Sequence, residues 1–272
     1  MKKNIVFIPF IERNQSYTSN SGVGKAGRTD GYQFGIDSWR NWCHKHDCEL
    51  VIMDQLLIPE SEMLITWQRW HVLDILEHNE IDYDQVLIVD ADSLVHPECP
   101  NFFNLTNRKF SSPLTDGDYE WVCRAINGYS KMFFNKEYCL PSFEFFQTGF
   151  VIVNKDHKEF LTKCMNWYND HKEEVKKSYE ILLTGSDIAL MNCLRKEFNI
   201  ELNILPRQFG LMDLNRKNLL FTSPRTQWWK DDLSNVYNSG WVYQYNAIPQ
   251  NELGRTRAYF MERMYKELYG NI

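Results

Sequence analysis

The stretch DQVLIVDADSLVHP, Asp84 to Pro97, runs five apolar or neutral residues into two aspartates one residue apart, Asp90 and Asp92. The run has the composition of a buried strand. Two carboxylates at its end are costly to bury unless a metal, a basic side chain or water faces them. Active sites of parallel α/β sheets lie beyond the carboxyl ends of strands, where Asp90 and Asp92 would project. If strand alternation persisted, both would fall on one side of the chain. Two hard oxygen donors from one short segment suit Mg²⁺ or Mn²⁺, which bridge to substrate phosphates. The alternative is a solvated strand-to-loop pair.

Outward from this stretch, the preceding residues alternate strand and helix. NIVFIPFI, residues 4–11, reads as a first buried strand, YQFGIDSWRNWCHKH as a helix and CELVIMD as a second strand. TWQRWHVLDILEHN reads as an amphipathic helix with Thr66 as its N-cap. This alternation is the signature of a parallel α/β sheet. Downstream, FFQTGFVIVN is a further strand, followed by a charged helix from about Lys158 to Lys177. GSDIALMNCLRKEF is a helix with Ser186 as a possible cap, LNILP is a short strand, and NELGRTRAYFMERMYKELY is a closing helix. No composition break or repeat marks a linker.

GVGKAG, Gly22 to Gly27, satisfies G-x-G-x-x-G, but about ten polar residues separate it from the strand. A dinucleotide fingerprint follows its strand at once and opens a helix. The polar stretch from Arg13 to Asp30 therefore reads as a long loop.

The chain has 272 residues, 43% hydrophobic and 24% charged, which suits a soluble globular protein. The net charge of −6 argues against a nucleic-acid partner, because phosphate binding shows as an excess of Lys and Arg. Seven cysteines, with no C-x-x-C pair, suggest neither a zinc site nor a disulfide framework. The N-terminal apolar run is broken by Pro9 and has no small-residue cleavage site, and no run approaches 18 apolar residues. The expectation is a cytoplasmic protein without a membrane span.

YDQVLIVDADSLVHP resembles the Asp-x-Asp segment of nucleotide-sugar-dependent glycosyltransferases of the GT-A fold, particularly the glycogenin-like and galactosyltransferase groups. Three more pieces match in order. ITWQRWHVLDIL resembles the helix before the motif, with Arg69 as the basic residue facing the nucleotide. FQTGFVIVN resembles the Asn-Ser/Ala-Gly segment and its apolar strand, with Gln147, Thr148, Gly149 and Asn154 in place. SDIALMN resembles Asp-Gln-x-x-Leu-Asn and retains Asp187 and Asn192.

The resemblance implies an α/β, Rossmann-like GT-A fold, a single domain over residues 1–272 with a mostly parallel central sheet flanked by helices. Residues 1–95 would form the nucleotide-binding half and 96–272 the acceptor-binding half. It implies a metal-dependent transferase using Mn²⁺ or Mg²⁺ to move a sugar from a nucleotide diphosphate sugar, UDP-linked by first expectation, to a glycan or other hydroxyl acceptor. Pro9, Phe10, Arg69, Asp90, Ala91, Asp92, Thr148 and Gly149 would then contact the nucleotide sugar. Asp187 and Gln147 would serve catalysis. Trp228, Trp229 and Trp241 would stack on the acceptor, or else fill the core.

Two positions depart from the pattern. WVYQYNAIP puts Gln244 where a third metal ligand, a histidine, is expected, and Ile188 replaces a glutamine near the reacting sugar. An amide oxygen ligates a hard cation more weakly than a charged ligand. Arg69 also fits a plain helix–strand salt bridge, and Asp187 a carboxylate stabilised at a helix N-terminus. Two other functions fit LIVDADSLV. One is a haloacid-dehalogenase-like phosphatase with Asp90 as nucleophile and Asp92 as acid/base, although two strand–helix units precede the motif and Lys230, Asp231 and Asp232 are contiguous. The other is a catalytically idle sugar-binding module on the same fold.

Overall fold

Strand β1 (Lys3–Pro9) holds four consecutive residues, Ile5 to Ile8, that are wholly buried. Alternation divides them, with Ile5 and Phe7 packing into the larger core and Val6 and Ile8 into a second core on the opposite face. Strand β3 (Tyr83–Val89) divides the same way, Val86 and Ile88 against Leu87 and Val89. These strands therefore lie in the middle layer, which explains their unbroken apolar runs. A computed structural model describes residues 2–11, 31–182, 184–212, 238–246 and 256–270.

The sheet has six strands in the order β2-β1-β3-β6-β5-β7, with β2 (Glu49–Met53), β5 (Phe110–Pro113), β6 (Phe150–Asn154) and β7 (Leu202–Leu205). All strands run one way except β6, which is antiparallel to both neighbours. The sheet is mostly parallel, as expected, and joins strands from both halves of the chain.

The larger core lies under α3 (Val72–His78), α4 (Tyr119–Phe134), α5 (Lys158–Leu182) and α6 (Ser186–Glu197). The opposite core takes Trp39 and Trp42 of α1 (Tyr32–His46), with Phe102 stacked on Trp42 at 4.4 Å. A two-stranded ribbon of β4 (Ser93–Val95) and β8 (Val242–Gln244) forms a third small core with α7 (Arg257–Tyr269).

Two helix starts differ from expectation. Thr66 is not a cap: α2 (Ile65–Gln68) begins one residue earlier, and the Leu64 amide before it donates to the Tyr168 hydroxyl at 3.0 Å. Leu64 occupies the cap position without a side-chain acceptor, and its carbonyl accepts from the Trp67 amide at 2.9 Å. Helix α6 starts at Ser186 itself, with Gly185 in the cap position. The charged helix also runs five residues past Lys177, to Leu182. The loop from Arg13 to Asp30, with GVGKAG in it, falls outside the described residues.

Candidate active site

Asp90 continues the alternation of Val86 and Ile88 and turns toward the larger core. There Arg69 Nη1 donates to Asp90 Oδ1 at 2.5 Å, and the same nitrogen lies 3.3 Å from the Thr148 carbonyl. Arg69 Nε donates to the Thr66 carbonyl at 3.1 Å. Arg69 is only 8% exposed, and a guanidinium on so buried a residue requires counter-charge. Burial alone would lower its pKa, but the carboxylates of Asp90, Asp187 and Asp92 outweigh this and hold it above its ordinary value.

Asp187 stands in the first turn of α6 and is 6% exposed. Burial raises its pKa, and nearby Asp90 adds to the rise. Arg69, the Ile188 amide and the Thr148 hydroxyl act in the other direction. Its Oδ2 has no hydrogen-bond partner among the described residues. A buried carboxyl with a raised pKa beside other charges has the character of a functional group.

Alternation does not persist through Asp92. Ala91 and Asp92 form a turn into the ribbon, and the two carboxylates take separate partners. Asp92 Oδ2 accepts from Arg257 Nη1 at 3.1 Å, and its carbonyl accepts from the Tyr245 amide at 2.8 Å. The turn is tightly supported. Ser93 Oγ donates to the Asp90 carbonyl at 2.6 Å and accepts from Trp39 Nε1 at 3.0 Å. A Cβ on Gly35 of α1 would collide with the Ala91 carbonyl oxygen and sit 2.6 Å from that of Ser93.

Gly149 gives the site its space. The Asp90 amide donates to its carbonyl at 3.2 Å, and a Cβ there would lie 2.8 Å from Asp90 Oδ2 and 2.9 Å from Gln244 Oε1. The missing side chain thus marks a point on which a carboxylate and an amide oxygen converge. Gln244 is opposite Ser93 in the ribbon and is buried. The available donors, two carboxylates and an amide, are all hard oxygens and fit Mg²⁺ or Mn²⁺. No three His, Cys, Asp or Glu side chains converge as a metal cluster among the described residues. Asp90 and Gln244 converge on this point, and Asp92, which is bound to Arg257, is the third residue that could hold a cation beside them.

The other expected residues surround this centre in different ways. Gln147 is buried, and its Nε2 donates to the carbonyls of Gly210 at 2.9 Å and Leu114 at 3.3 Å. Its Oε1 has no partner among the described residues. Pro9 ends β1 and Phe10 follows it, with the Phe10 ring meeting Tyr32 edge-on at 5.9 Å. Asn192 bonds both backbone groups of Phe146, and Asn154 caps the turn after β6, so both serve the scaffold. Trp241 packs partly buried against the second core, edge-on to His96 at 5.6 Å. Trp228 and Trp229 lie outside the described residues.

Arg257, Tyr32 and Gly35 were not expected at the site. Arg257 lay in view as a basic residue of the closing helix, but nothing local ties it to Asp92, 165 residues away.

No family model and no curated protein sequence matches the chain. Among solved structures it is similar to a glycosyltransferase involved in glycosylation of the major capsid of PBCV-1, with 11% identity, 96% of this chain and 98% of that chain covered, and a TM-score of 0.48. It is similar to an active-site mutant of LgtC, with 15% identity, 98% and 95% covered, and a TM-score of 0.47. It is also similar to the apo bifunctional glycosyltransferase WbbM, with 13% identity over 99% of this chain and a TM-score of 0.55. The chain spans 50% of WbbM's length. The WbbM likeness shows a shared fold; the first two superpose too loosely to add to it. Among the described residues, no helix is long and apolar enough to cross a membrane.

Proposed function

We propose that the chain is a glycosyltransferase that moves a sugar from a nucleotide diphosphate sugar, UDP-linked by expectation, to a glycan or other hydroxyl acceptor. One observation carries this reading: Arg69, Asp90, Asp92, Gly149, Asp187 and Gln244 meet beyond the carboxyl ends of β1 and β3. That is where α/β sheets bind nucleotides. The fold shared with WbbM, a glycosyltransferase by name, agrees with it.

The transfer breaks an anomeric C–O bond through an oxocarbenium-like state and releases a diphosphate. A Mn²⁺ or Mg²⁺ ion held by Asp90, Asp92 and Gln244 would supply positive charge to that leaving group. Arg69 pairs with Asp90 and fixes its side chain. Thr148 and Gly149 line the donor's path beside Pro9, Phe10 and Ala91. Asp187 offers its unpartnered oxygen to a sugar hydroxyl and exchanges a proton there, and Gln147 offers its carbonyl oxygen. Trp241, with Trp228 and Trp229, is the proposed acceptor wall.

The test is thermal stabilisation by a panel of nucleotide sugars with Mn²⁺. A UDP- or GDP-linked species should raise the melting temperature, and Asp92→Asn should remove the metal-dependent part. If no nucleotide shifts it while phosphate esters are hydrolysed, Asp90 is a phosphatase nucleophile instead.

A further inference from the structure

From the pairing of Asp92 with the last helix, we propose that Arg257 is an internal cation that makes metal binding conditional on the nucleotide. In the empty site it neutralises Asp92; when a nucleoside diphosphate arrives with its metal, Arg257 passes to the diphosphate. This inference rests on the proposed transferase reading and assigns a role to a residue which that reading does not use.

Arg257 is held where it can make that exchange. Its Nη1 donates to Asp92 Oδ2 at 3.1 Å, and its guanidinium lies 4.5 Å from the centroid of the Tyr32 ring. Tyr32 in turn meets Phe10, which follows β1, so the arginine stands at the carboxyl edge of the sheet. Its start of α7 is fixed against the start of α1: a Cβ on Gly31 would lie 2.7 Å from the Ala258 Cα, and Gly31 has φ +87°. Only glycine combines that backbone conformation with that approach at no steric cost. The Arg257 side chain is 17% exposed, against 10% for Arg69. Arg69 is bound to two backbone carbonyls as well.

Charge supplies the direction of the effect. Among the described residues Asp90 is paired with Arg69 and Asp92 with Arg257, while Asp187 is a third carboxyl beside Arg69. A divalent ion entering alone adds two positive charges to carboxylates that are already paired, and it competes with Arg257 for Asp92. A diphosphate entering with the ion offsets that excess and gives the displaced guanidinium a planar, bidentate partner. Metal and nucleotide must then favour each other, by the same factor in both directions.

The experiment is calorimetric titration of Mn²⁺ into the full chain with and without saturating UDP, repeated for Arg257→Gln and Arg257→Lys. In wild type, UDP should tighten Mn²⁺ binding by roughly tenfold or more, within the usual range of coupling between sites. Arg257→Gln should bind Mn²⁺ alone roughly fivefold more tightly than wild type and lose most of the UDP effect. Arg257→Lys, which keeps the charge, should stay near wild type in Mn²⁺ affinity without nucleotide. Circular dichroism melts of each variant establish that it is folded. If folded Arg257→Gln binds UDP and shows unchanged Mn²⁺ affinity and unchanged coupling, the inference is overturned while the transferase reading stands. If wild type binds neither UDP nor Mn²⁺, the transferase reading falls and takes this inference with it.

Discussion

Replacing Asp187 by Asn should make the protein more stable and less functional, and the sign of the stability change separates two roles for this carboxyl. The group is 6% exposed, its pKa is raised first by burial and then by Asp90, and Oδ2 has no partner among the described residues. A buried polar atom left unsatisfied costs about 1–3 kcal/mol. An amide of the same shape removes the charge that burial opposes. Arg69 keeps Asp90 at 2.5 Å, so the substitution leaves no uncompensated cation. The expected gain is about 1–2 kcal/mol at pH 8. For a domain of this size, a rise of roughly 2–4 °C per kcal/mol gives a melting temperature about 2–8 °C higher. The pH dependence follows from the raised pKa. Wild-type Asp187 contributes stability below its unfolded pKa and loses it as pH rises through its higher folded value. The variant does not titrate there, so its advantage should grow as pH rises and shrink toward pH 4. Calorimetric melts of both proteins across that range, without nucleotide, provide the measurement. If Asp187 served only as an anion at the N-terminus of α6, its loss would instead destabilise by about 0.3–1 kcal/mol. A lower melting temperature for Asp187→Asn at pH 8, or a difference that ignores pH, would refute the reasoning. Sugar transfer should fall in the same variant, the trade of function for stability typical of active-site groups.

Two further outcomes are expected. Gly35→Ala should destabilise by about 1–3 kcal/mol and weaken UDP binding, because its Cβ meets the fixed carbonyls of Ala91 and Ser93 under the Asp90–Asp92 turn. Helix propensity alone predicts a gain of about 1 kcal/mol, so denaturant melts decide between the two by sign. Cys139 should react first among the seven cysteines with iodoacetamide at pH 7.5, since a hydrogen bond from the Cys193 thiol pulls its pKa below the ordinary value. Burial pushes Cys43, Cys99 and Cys164 up and raises Cys48 to about 11. Peptide mass spectrometry reads the order, and Cys193→Ala should slow labelling of Cys139; an unchanged rate would show that the neighbouring thiol does not activate it.

What was legible in the sequence was what depends on neighbours along the chain. The middle-layer strands announce themselves because burial on both faces demands unbroken apolar runs, as in Ile5–Ile8 and Val86–Val89. Asp90 was legible as a strand-end carboxylate, and Arg69 as its candidate partner, because a helix leading into its strand places one near the other. The reversed direction of β6 was not, since an apolar strand reads the same in either direction. Helix α4 was missed although Val122, Ala125, Ile126 and Tyr129, its buried residues, recur at helical spacing; only the close fit of Gly128 to Leu182 exists in the fold alone. The same limit explains the half-read site. Asp90 and Asp92 stand out because two like charges two residues apart are costly to bury, and that cost is visible in one dimension. Their counter-charges carry no such mark: Arg257 sits among ordinary helix residues and becomes a partner only through the Ala91–Asp92 turn and the packing of α7 on Gly31. An acidic pair in a sequence therefore identifies where charge must be neutralised, whereas the fold decides which side chains neutralise it.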